Sequence, residues 1–255
     1  LSVPSPEPDA LVRLGQGLFA DPTLSGNRDI TCLHCHHPRV ASGDGLPFAI
    51  GTGGRGVGPG RQQQQAALTR RNSSPLFNLA ADPQAPMFWD GRVQFSARSH
   101  SFSTPEPALN GYFPLQPARR HPIAQALDSS LAAQALFPVV SHEEMRGPPG
   151  TNELADAPDN VEVWRRIMVR LGEKEHYRRL FAEAYPQAAS FEALNFGHAA
   201  TAIAAFERQF FVAVETPLDR YLRGDRTALT DRQKRGAAIF AGRGRCIECH
   251  SGPSL

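Results

Sequence analysis

Apolar residues recur at helical spacing in several parts of the chain. Trp164, Ile167, Met168 and Leu171 fall at i, i+3, i+4 and i+7, and Phe191, Leu194, His198, Ala202, Ala205, Phe206 and Phe210 line a second helical face. This periodicity predicts two long helices from residue 161 onward. Asp159 or Asn160 is the expected cap of the first and Ser190 of the second. Two further segments resemble each other: Gly15-Gln16-Gly17-Leu18-Phe19-Ala20 and Gly236-Ala237-Ala238-Ile239-Phe240-Ala241. The second opens on Thr230, with Gln233 three residues on, and stops at Gly242, the pattern of a capped helix. No stretch alternates apolar and polar residues long enough to predict a strand. Residues 40–60 hold eight glycines and two prolines, and 93–125 are rich in Ser, Pro and Arg, so both predict irregular chain.

Each of the two similar helices is followed by a loop and a C-x-x-C-H motif: Cys32-Leu33-His34-Cys35-His36 and Cys246-Ile247-Glu248-Cys249-His250. These hold all four cysteines, leaving none for disulfides. In this motif each thiol adds across a haem vinyl group, and the adjacent His is placed to ligate the iron. C-x-x-C alone also serves zinc and redox sites, but a His after each pair, twice in one chain, points to two covalently bound haems c. His34 and His37 are expected to be solvent-facing or structural. The expected fold is therefore mainly α, with two tandem cytochrome c-like domains and long irregular loops. The Pro/Gly-rich stretch at 147–158 is the expected boundary, giving an N-terminal haem domain over 1–150 and a C-terminal one over 151–255. With five residues after His250, the second domain is expected to be incomplete in this chain.

Composition narrows the partners. Lys plus Arg number 27 against 25 Asp plus Glu, a net charge of +2, with no long run of like charge, so nothing marks a nucleic-acid binder or a polybasic membrane anchor. No apolar run is long enough to span a bilayer. Haem c is attached outside the bacterial cytoplasm, and a first residue that is Leu1 suits an exported protein without its signal peptide or a trimmed chain; the expected location is the periplasm.

The runs Arg71-Asn72-Ser73-Ser74-Pro75-Leu76-Phe77-Asn78 and Met87-Phe88-Trp89-Asp90-Gly91-Arg92-Val93 resemble the bacterial di-haem cytochrome c peroxidase family, which includes MauG. So do Ala135-Leu136-Phe137-Pro138-Val139-Val140-Ser141-His142-Glu143-Glu144-Met145-Arg146-Gly147, Ala205-Phe206-Glu207-Arg208 and Leu218-Asp219-Arg220-Tyr221-Leu222. The resemblance implies that Trp89 conducts electrons between the haems, although an indole is commonly just core. It implies that Glu144 is the acid beside the peroxidatic haem, doing general acid–base work on H2O2. Glu143 and Glu106 compete for that role, and Pro138 at the family's offset favours Glu144. It also implies that Asn72 ligates one Ca²⁺, although asparagines in loops are commonly turn formers.

What the resemblance implies as function is reduction of H2O2 at the His36 haem. Electrons would enter through the His250 haem from a small periplasmic cytochrome or cupredoxin. The alternatives are MauG-like oxidation of a protein or small-molecule substrate, and a plain di-haem electron carrier. A dimer is left open. Three departures from the family stand out. No His lies between His37 and His100, so the first haem is expected to be open on its distal side. Gly244 stands where MauG has a relay tryptophan. The stretch from Trp89 to Glu144 is long and is expected to lid the pocket or dock a partner.

Overall fold

The computed structural model describes residues 5–64, 66–82, 84–110 and 121–250, so part of the 93–125 stretch, residues 111–120, lies outside the described residues. The architecture is mainly helical, as the periodicity predicts. Helix α1 (Asp9–Ala20) turns Leu14, Gly15, Leu18 and Phe19 inward. It lies on α7 (Phe196–Phe210), which is buried along most of its length. A Cβ on Gly15 would stand 1.9 Å from the Ala202 carbonyl oxygen, so the two backbones cross where only glycine fits. Phe19 seals the crossing against Phe206 and Phe211, with ring centroids 5.3 and 5.8 Å away.

Two helices complete the packing. Helix α5 (Asn160–Gly172) starts at Asp159, whose side chain accepts the Glu162 N–H, and buries Trp164, Ile167, Met168 and Leu171 as expected. The Trp164 indole donates to the Leu136 carbonyl at 3.0 Å. Helix α6 (Glu175–Ala184) buries only Tyr177 and Phe181.

The expectation of a single helix starting at Ser190 is corrected. Ser190 heads a three-residue turn, Phe191–Ala193, and Leu194 is extended. The cap of α7 is Asn195, whose side chain accepts the Gly197 N–H at 2.9 Å while its own N–H bonds His198 Nδ1. Phe191 turns away from the α7 face to pack on Phe181 and Gly172.

One core gathers side chains from Leu14 to Phe211. The 147–158 stretch therefore does not separate two cores, because α5, α6 and α7 share theirs with α1 and with α4 (Ser130–Gln134). The long Trp89–Glu144 segment includes a short hairpin that the pattern did not predict, β1 (Gln94–Ser96) with β2 (Ser101–Ser103), Phe95 stacked on Phe102. It continues through α3 (Pro122–Ala126) into α4. After α7 come α8 (Pro217–Leu222) and α9 (Asp231–Ala241), neither of which buries a residue. Thr230 and Gln233 cap α9 reciprocally, as their spacing predicts. Among the described residues no helix is long and apolar enough to cross a membrane.

Candidate haem site

Cys32–Cys35 forms a single helical turn, α2, headed by Thr31. The Thr31 N–H donates to His34 Nδ1 at 3.0 Å, and the His37 ring accepts the Arg39 N–H at 3.2 Å, so both flanking histidines are structural. His36 is held differently. Its Nδ1 lies 3.1 Å from the Ser42 carbonyl oxygen, which leaves Nε2 available for a metal. Burial, the largest influence on it, pushes the imidazole's pKa down and keeps the ring neutral, the form that ligates.

Burial also acts on the two thiols of the motif. Burial, then the charges of Glu207 and Cys35, pushes the Cys32 thiol up; burial, then Asp44 and Glu144, pushes Cys35 to about 12. Two half-buried thiols within one turn of an oriented imidazole match two thioether links and one axial ligand.

The Gly-rich stretch is irregular, as its composition predicts, and meets this turn at Gly43, whose carbonyl accepts the His37 N–H. Arg61, 4% exposed, ties it together: Nε donates to the Ile50 carbonyl, Nη2 to Gly51 and Nη1 to Gly56, at 2.7, 2.6 and 2.9 Å. Thr52 is fixed by Asp29 and Asn27 through its hydroxyl, and its N–H donates to the Glu144 carbonyl at 2.7 Å. A Cβ on Gly51 would meet the Glu143 carbonyl oxygen at 1.9 Å, so the loop and the Glu143–Glu144 backbone touch directly.

Glu144 sits in a wide helical turn, His142–Arg146, in which the N–H groups of Glu144, Met145 and Arg146 converge on the Ser141 carbonyl. Turns of this width recur at functional sites. Arg170 of α5 anchors it from behind by donating to the carbonyls of Thr23, Ser25 and Gly26, and the Gly26 N–H bonds the Met145 carbonyl. Burial raises the half-buried Glu144 carboxyl to about 7, against the opposing pull of Arg92 and a hydrogen bond from Ser141.

The competing acids are engaged elsewhere. Glu143 pairs with Arg70 at 3.6 Å, and Glu106 accepts from Asn160 and from the Ala108 N–H. His100 lies against Phe95 and Phe102 at the hairpin tip. Pro138 opens the short turn Pro138–Val140 that leads into Ser141.

Trp89 is 70% exposed at the tip of a tight turn in which Phe88 and Gly91 have positive φ, with the Arg71 guanidinium 3.7 Å over its ring. It is not a core indole. Cys246, Cys249 and His250 are exposed beyond α9, and Asn72 is exposed on its loop. The motif spacing did not reveal Ser42, Arg61 or Arg92. Arg55 and Arg61, the two arginines in and just after the eight-glycine stretch, were the available signal for Arg61.

A helical chain with a C-x-x-C-H turn, an oriented proximal histidine and a half-buried carboxyl near that turn defines a c-type haem peroxidase architecture. Residues 9–227 match the family model for di-haem cytochrome c peroxidase, and the chain belongs to that family. It is 30% identical over 255 residues to the methylamine utilization protein MauG of Methylorubrum extorquens, covering 98% of this chain and 53% of that protein. It is 29% identical over 241 residues to cytochrome c peroxidase Ccp of Escherichia coli, covering 94% of this chain and 37% of that one. The fold is shared with a MauG-like protein associated with microbial copper homeostasis, at a TM-score of 0.58 and 24% identity, covering 98% of this chain and 54% of the other. It is shared likewise with the diheme peroxidase BthA from Burkholderia thailandensis, at 0.60 and 20%, covering 98% and 50%. The chain spans about half the length of the curated relatives it matches.

Proposed function

We propose that the protein reduces H2O2 in the periplasm at the haem carried by Cys32, Cys35 and His36. Electrons reach it through a second haem on Cys246, Cys249 and His250, supplied by a small cytochrome or cupredoxin. The observation that carries this reading is Glu144: a half-buried carboxyl, fixed by Thr52 and Ser141, whose charge is felt at Cys35. Haem, when bound, supplies an iron that accepts the peroxide and a route for two electrons. The chain's residues supply the rest. His36 is oriented by Ser42 as the proximal ligand. Glu144, raised to about 7, takes a proton from one peroxide oxygen and delivers it to the other, which leaves as water. Two protons and two electrons thereby convert H2O2 to two waters.

Thr52 bonds the Glu144 backbone and Arg92 acts on the Glu144 carboxyl, and Asn72 is proposed to contribute an oxygen to one bound Ca²⁺. The second haem unit is proposed to begin after α7, a reading supported by the lack of buried residues in α8 and α9.

The test is Glu144→Gln in the full-length, haem-loaded protein. The variant should keep its haem spectrum, with a high-spin five-coordinate first haem by electron paramagnetic resonance, while peroxide turnover falls about 10²–10⁴-fold. Full turnover would remove Glu144 from the chemistry, and a low-spin resting first haem would overturn the open site.

A further inference from the structure

Asp44 lies two residues beyond Ser42, whose carbonyl oxygen stands 3.1 Å from His36 Nδ1. Its position is set by a tight turn in which the His37 N–H bonds the Gly43 carbonyl and the Ser42 N–H returns to the His37 carbonyl. Asp44 is 1% exposed, and Oδ1 accepts the Leu46 N–H at 3.0 Å. Oδ2 is buried and has no hydrogen-bond partner among the described residues. Burying a carboxylate oxygen without a partner is costly, and such an exception calls for a reason.

Arg61 does not neutralise it by direct pairing, because Nε, Nη1 and Nη2 are directed to the carbonyls of the Gly-rich loop. The groups that do feel Asp44 are those of the first motif. Its charge acts on Cys35 and on His36 as well as on Arg61.

We propose that Asp44 is a positioning residue for the first haem: a buried negative charge beside the proximal imidazole that strengthens His36 as a ligand and lowers the reduction potential of the haem it holds. This rests on the reading that Cys32, Cys35 and His36 carry haem. The physical basis is Coulombic. Adding an electron near a fixed anion is unfavourable, and in a partly buried site the effect is screened far less than in water. The same anion favours the oxidised forms that peroxide reduction demands of its haem. The loop's turn at 37–43 then has two roles, orienting the ring through Ser42 and holding the charge through Asp44.

The experiment is a spectroelectrochemical titration of the full-length, haem-loaded protein, with Asp44→Asn compared against wild type. The first haem should become easier to reduce: at a fixed ambient potential its reduced-to-oxidised ratio should rise about tenfold, ~59 mV for a one-electron couple. The second haem should titrate unchanged. Resonance Raman of the ferrous protein should show a weaker iron–His36 stretch, a signature that a merely structural Asp44 would not move. Asp44→Ser, smaller and equally neutral, should give the same shift if the asparagine fits badly. An unchanged first-haem potential in a loaded variant overturns the proposal. So does failure of both variants to load haem where wild type loads it, because Asp44 would then serve folding alone. A wild-type protein without haem at Cys32 and Cys35 would instead overturn the reading of the site.

Discussion

Three glutamates show how a residue's surroundings set its chemistry. Glu162 lies in the first turn of α5, where hydrogen bonds from Arg165 and Arg166 pull it down to about 2. Glu144, half-buried, rises to about 7. Glu207, 6% exposed on α7 with Oε2 unpartnered among the described residues, rises to about 8 because burial outweighs the pull of Arg208. For Glu207 the folded value lies above the unfolded value of 4.5, so the folded state keeps a proton that the unfolded chain has lost. Stability is therefore lost as pH rises from about 4.5 to about 8, by ~1.4 kcal/mol for each pH unit crossed within that window. Glu207→Gln keeps the shape and removes the charge. It should raise the melting temperature of the haem-loaded protein clearly at about pH 9 and little at about pH 5. Equal effects at both pH values would mean that Glu207 is not the titrating group.

At the scale of elements, the start of α7 separates local pattern from packing. Ser190 and Asn195 are both capping residue types, and the apolar series from Phe191 onward suits a helix beginning at either. Asn195 caps because the chain must turn at Leu194 so that Phe191 can fill the space beside Gly172 and Phe181. Asn195→Ala should lower unfolding stability by ~1 kcal/mol in urea melts. Ser190→Ala should stay within about 0.5 kcal/mol, and the reverse order would restore Ser190 as the cap. Helix α6 escaped the periodicity reading because only Tyr177 and Phe181 are buried in its charged sequence. Two inward positions do not make a recognisable stripe.

Across the whole molecule the two haem motifs have unlike settings. The first is packed on the core that α1 and α7 build, with Cys32 and Cys35 against it. The second follows a helix with no buried residue; Ile239 of that helix and Ile247 within the motif are 43% and 40% exposed. Trp89, stacked under Arg71, stands on the surface rather than in the core. In the full-length protein, Trp89→Phe should leave both haems bound and stability within about 0.5 kcal/mol. Inter-haem electron transfer, followed by rapid-mixing absorbance, should slow together with steady-state peroxide turnover. Unchanged turnover would reduce Trp89 to a surface aromatic.

The sequence by itself determined what short-range chemistry dictates. The two C-x-x-C-H motifs, a cap at Asp159 or Asn160, the Thr230 cap and the inward face of α5 each depend on residues within a few positions of one another, so spacing alone reveals them. Tertiary structure decided how the three candidate carboxyls are engaged. Burial raises Glu144, whose backbone carbonyl accepts from Thr52, some ninety residues earlier, while Arg70 and Asn160 engage Glu143 and Glu106. It also decided that Arg61 braces the Gly-rich loop and that Asp44 is buried without a partner for Oδ2 among the described residues. These outcomes depend on desolvation and on hydrogen bonds between distant segments, and both arise only when the chain closes its core.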